Sequence, residues 1–140
     1  MASLNPQEII VVFRGSGRLH VRFAEGVKTK DAPGLFTEIR RQAQADKATE
    51  ILLDASTIKE KLSVLRRLQM IMAFVTSLRG FRVAGVLSEI TVDPKKLGET
   101  MARNRGANVK VFTSVPEAMA WLGWEEQDEG PRPRSTAGAR

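Results

Sequence analysis

The first forty residues change hydrophobic period once. Glu8 to Phe13 reads EIIVVF, a short apolar run rich in β-branched residues. Arg14-Gly15-Ser16-Gly17 follows, then Leu19-His20-Val21-Arg22-Phe23 alternates apolar and polar. Two such runs joined by glycines predict an antiparallel β-hairpin with one buried face. Leu19, Val21 and Phe23 belong on that face. His20 and Arg22 point away from it, with His20 expected at the surface. From Pro33-Gly34 the spacing becomes helical, and Leu35, Phe36, Ile39 and Ala43 form an apolar stripe. Ile51-Leu52-Leu53 is then a continuous apolar run ending at Asp54, the pattern of a buried central strand.

The longest helical pattern runs from Lys61 to Gly80, with Ser63 as its N-cap. With successive residues placed about 100° apart, Val64, Leu65, Leu68, Ile71, Met72, Val75 and Leu78 share one arc, the expected core face. Met70 and Phe74 lie beside it near Arg67, an expected ledge of apolar surface. Phe81 to Leu87 predicts a fourth strand. Asp93-Pro94 predicts the start of a helix that turns Leu97 and Met101 inward and stops at Gly106. Val109 to Thr113 predicts a fifth strand. Ser114-Val115-Pro116-Glu117 is a capping box that opens a last helix, with Ala118, Trp121 and Leu122 inward. The order is β-β-α-β-α-β-α-β-α. It predicts an α/β domain with a mixed sheet of about five strands and about four helices. The N-terminal hairpin is antiparallel and the later strands are parallel, because a helix separates each from the next.

The 140 residues suit one domain. Residues 125–140, EEQDEGPRPRSTAGAR, hold no large apolar residue and are expected to be a disordered tail. Residues 1–6 are a leader, which leaves residues 7–124 as the domain. The net charge is +6 for the whole chain. It is +7 for residues 1–124, where 19 basic residues face 12 acidic ones. The basic residues occur singly and in pairs over several elements, without interleaved aromatics, so nucleic acid is not the expected partner. There is no cysteine and one histidine. That excludes disulfides, thiol nucleophiles and clustered His or Cys metal sites within one chain. No apolar run reaches the length of a membrane span, and no secretory signal is visible. A cytoplasmic protein without cofactor or bound metal is expected.

In open α/β sheets, ligands bind beyond the carboxyl ends of the parallel strands. Those ends carry Asp54-Ala55-Ser56-Thr57, Ser88-Glu89 and Asp93. Asp54, Ser56, Ser88 and Asp93 are therefore the candidate binding residues for a small anionic ligand, nucleotide or lipid. No motif marks a nucleophile, an acid–base pair or a Mg²⁺ site among them, so no catalytic residue is assigned.

The element order resembles the STAS domain of anti-sigma factor antagonists and sulfate transporters, the SpoIIAA-like fold. The resemblance covers about residues 7–123. Its signature is Glu99-Thr100-Met101-Ala102-Arg103-Asn104-Arg105-Gly106, then Val109-Lys110-Val111-Phe112-Thr113, then Glu117-Ala118-Met119-Ala120-Trp121-Leu122. It is similar to bacterial proteins described as STAS-like or STAS/SEC14-related. The resemblance implies a non-enzymatic regulatory domain acting through a protein partner or by self-association. The expected interaction surface is the second helix, with Arg66, Arg67, Met70 and Phe74. Regulatory members carry a phosphorylatable serine in an Asp-Ser-Ser-Gly motif at the start of that helix. Here Leu62-Ser63-Val64-Leu65 stands in its place, and only Ser63 matches. A SEC14 relationship would imply a large apolar cavity, for which a chain of this length leaves little room beside its core.

Overall fold

The computed structural model describes residues 8–92 and 96–124. Strands β1 (Ile9–Gly15) and β2 (Arg18–Phe23) form the hairpin. Ser16 and Gly17 between them both have positive φ, at 55° and 77°, as a tight two-residue turn requires. β3 (Glu50–Asp54), β4 (Arg82–Val86) and β5 (Asn108–Phe112) add in sequence order, giving one sheet β1-β2-β3-β4-β5. β1 pairs antiparallel with β2, and all later pairings are parallel. The fold class read from periodicity is the one observed.

The three crossover helices pack on one face of the sheet. They are α1 (Ala32–Ala45), α2 (Val64–Leu78) and α3 (Leu97–Asn104). α4 (Val115–Leu122) returns across the other face, over Leu52, Ala84 and Val86. Alternation along β3 sends Ile51 and Leu53 to the three-helix side and Leu52 to the α4 side. Leu19, Val21, Leu35, Ile39, Ile51 and Leu78 are completely buried on the three-helix side. Each such side chain contributes about 1.5–3 kcal/mol of hydrophobic stabilisation.

The far end of the sheet is fastened through Glu50. Its carboxylate accepts from Trp124 Nε1 at 2.8 Å and pairs with Arg82 at 3.3 Å. Arg82 also stacks over Trp121, 4.2 Å from the ring centroid, and donates to its carbonyl. These contacts tie the end of α4 to the edges of β3 and β4.

Four sequence expectations are corrected, and the first is that Leu97, expected to turn inward, is exposed. His20 does point away from Leu19 and Val21, but it is buried, because α4 and the Trp124 ring cover that side as well. The α2 core face is narrower than its pattern. Val75 and Leu78 are buried, whereas Val64, Leu65, Leu68 and Met72 are exposed. Met70 and Phe74, expected to form an outer ledge, are instead packed against the core. The reason is angular position: at about 100° per residue Leu65, Leu68 and Met72 fall on the flank of α2 turned away from Met70 and Phe74, which pack on the core. α3 begins at Leu97; the expected start at Asp93-Pro94 lies outside the described residues.

Candidate functional site

A cavity of about 140 Å³ lies between the carboxyl half of the sheet and helices α1, α2 and α3. Its floor is Phe23, Leu53, Gly85, Val109 and Val111, one residue or more from each of four strands. Phe36 of α1, Met70, Ile71 and Phe74 of α2, and Ala102 of α3 form its walls. Phe36 and Phe74 meet edge to face at 5.7 Å, the favoured geometry for two rings, and close one side. The lining is almost wholly apolar.

Gly85 makes much of this room. It sits in the middle of β4, opposite Leu53 and Val111, where a side chain would point into the cavity. A Cβ placed there meets nothing within 4 Å, and its φ is one that any residue adopts. The isolated glycine in Val83-Ala84-Gly85-Val86 was the one sequence signal of the cavity, since a glycine inside a strand often marks a close approach by something else.

The mouth is polar and cationic. Leu62, Arg67 and Gly98 are half-buried there and Lys96 is exposed. Arg67 Nη1 donates to the Thr91 carbonyl at 3.3 Å, and Lys96 Nζ donates to the Val111 carbonyl at 3.1 Å. A carbonyl leaves the full positive charge in place, so both side chains offer it to an anion at the mouth. Glu99 also borders the cavity, but its Oε1 accepts from Val111 N–H at 2.7 Å and Arg103 stands 4.0 Å from its other oxygen. Glu99 and Lys96 thus occupy both backbone groups of Val111 along the outer edge of β5.

The candidate residues from the strand ends lie around this site rather than in it. Asp54 is buried, yet it shares the α4 side of β3 with Leu52. Its Oδ1 accepts from Ser56 N–H at 3.0 Å and from Ser56 Oγ at 2.6 Å, forming a local turn. Ser88 Oγ donates to the Ile58 carbonyl at 3.0 Å and accepts from Thr91 N–H at 3.2 Å. Buried Thr91 accepts from Glu60 N–H at 3.2 Å. Ser88 and Thr91 thereby stitch the loop after β4 to the loop after β3, forming the roof beside the mouth. Asp93 lies outside the described residues. Ser63 is exposed and caps α2, accepting from Arg66 N–H at 3.1 Å. Of the expected interaction surface, Arg67, Met70 and Phe74 line the cavity, and Arg66 is exposed beside them, its Nη1 donating to the Thr29 hydroxyl at 3.4 Å. Among the described residues, no group of three or more His, Asp or Glu could hold a metal ion, and no helix is long and apolar enough to cross a membrane.

Glu60 anchors the roof. Its carboxylate accepts from the hydroxyl and backbone N–H of Thr29, with Lys28 and Arg66 nearby. The Thr29 hydroxyl bond, then the backbone bond, hold its pKa below the ordinary 4.5. The contribution to stability is therefore present above the ordinary carboxylate value and is lost as pH falls through the lowered native one. Glu60→Gln should melt below wild type at neutral pH, and the two curves should converge on acidification. A gap that persists to the lowest pH would assign the loss to something other than this charge.

No protein-family model matches the chain, and no curated protein matches it.

Proposed function

We propose that the protein is a non-enzymatic binding domain of STAS-like type whose ligand is a small apolar carboxylic acid. The cavity carries this reading. An apolar void of about 150 Å³ takes a benzene-sized guest, and this one is of that size. It is smaller than the pockets that hold drug-sized molecules, so the ligand has a short aliphatic or single-ring body. Arg67 and Lys96 at the mouth suit a carboxylate head. A charge-assisted bond to a carboxylate is about twice as strong as a neutral one. The observed strand order supports the STAS-like resemblance.

A thermal-shift series tests this. Benzoate and hexanoate should raise the melting temperature, their alcohol counterparts should do so less, and nucleotides should have no effect. A ligand at a hundred times its Kd stabilises by about 2.7 kcal/mol, a shift of several degrees. Absence of a shift with every apolar acid would refute the proposal.

A further inference from the structure

Three of the chain's six phenylalanines line the cavity, and they reach it from three elements. Phe23 belongs to β2, Phe36 to α1 and Phe74 to α2. Phe36 is the middle of the series. Its ring centroid stands 6.5 Å from that of Phe23, with 36° between planes, and 5.7 Å from that of Phe74, with 86° between planes. Rings at these separations attract beyond simple burial, because each has a negative face and a positive edge. A further ring extends such a series, whereas an alkyl chain has no quadrupole and gains from burial alone. Phe23 and Phe36 are almost completely buried, but Phe74 is half-buried, so its ring keeps surface that a guest can cover.

The rest of the cavity favours a flat guest. Gly85 presents bare backbone between Leu53 and Val111 of the neighbouring strands, which leaves a slot one side chain wide. Met70 lines the cavity one turn before Phe74. A thioether beside the edge of a ring is favourable, a contact that an alkyl chain does not offer. Arg67, Met70 and Phe74 stand at i, i+3 and i+7 on one side of α2, spanning about 10 Å. Cation, sulfur and ring therefore follow in order from the mouth inward. A carboxylate held at Arg67 places its own body beside Met70 and Phe74.

We propose that the body of the ligand is an aromatic ring, selected by Phe74 together with Met70. The inference rests on the cavity binding an apolar carboxylic acid, and it narrows that class to aryl acids.

Benzoate and cyclohexanecarboxylate carry the same head on rings of equal size and differ in the π-system. Calorimetric titration of the full chain should show benzoate binding about three- to tenfold more tightly. Phe74→Leu keeps the wall apolar without the ring. It should bring the two acids within about twofold of each other, chiefly by weakening benzoate. Met70→Leu is a near-isosteric change and should cut the preference about twofold. A melting curve of each variant verifies its fold, and Met70→Leu decides alone if Phe74→Leu does not fold. Equal affinity of wild type for the two acids overturns the inference and leaves the cavity standing as a carboxylic-acid site. A preference undiminished in the folded variants overturns it in the same way. Failure of every apolar acid to bind removes the inference together with the reading beneath it.

Discussion

Gly85→Val should raise the melting temperature and abolish the response to apolar acids in the same protein. These two effects are seldom joined. Glycine in a strand costs about 0.5–1 kcal/mol through the freedom it retains when unfolded. Each methyl or methylene group moved from water into an apolar site contributes about 0.8 kcal/mol. At position 85 the new side chain enters open space, the backbone is unstrained, and the surroundings are Leu53, Val111 and Phe74. Part of the gain is offset by imperfect fit, so a net stabilisation of about 1–2 kcal/mol is expected, or about 4–8 °C. The same isopropyl group occupies the space the guest would take. Gly80 provides the contrast. It too has open space around a Cβ, but its φ is +107°, so a side chain there is strained and should lower stability. If Gly85→Val were stabilised and still responded to benzoate, the acid would be binding somewhere else.

The second large effect separates two leucines of one helix. Leu78 is completely buried between α2 and the sheet. Leu78→Ala should cost about 3 kcal/mol, from lost transfer energy and the void left behind, and lower the melting temperature by about 12 °C. Leu65→Ala should change stability by less than about 0.5 kcal/mol. Denaturant melts of the two variants decide the matter. Equal losses would mean that the first turns of α2 are covered after all.

The contrast also shows how far the pattern of residues carries. Strand alternation and helical spacing placed the hairpin, the three parallel strands and all four helices, because each element buries one face and its period records that fact. They also placed Ser63 and Ser114 as caps, since a cap is a local arrangement. What covers a face is not local. Alternation correctly separated His20 from Leu19, yet whether His20 meets water depends on α4 and Trp124, a hundred residues later in the chain. The apolar arc on α2 likewise contains two kinds of position, one facing the sheet and one on the flank turned away from it. Which is which depends on where the sheet and the neighbouring helices lie. Asp54, Ser56 and Ser88 are polar residues at strand ends, where ligands are commonly held. Here their hydrogen bonds close turns and join loops. The cavity had the faintest signal, because a void is defined by what several elements leave unfilled, and Gly85 alone wrote it into the sequence.

The bonds from Glu99 and Lys96 to Val111 have a consequence at the scale of the whole sheet. Parallel strands accumulate by offering the next strand an unoccupied row of amides and carbonyls. On the outside of β5, at Val111, both groups are already taken by side chains of the helix that precedes the strand. A strand arriving from another molecule would have to displace a carboxylate from an amide and an ammonium from a carbonyl before its first bond could form there. Folding α3 therefore installs a terminator for sheet growth at the same moment that it completes the wall of the cavity.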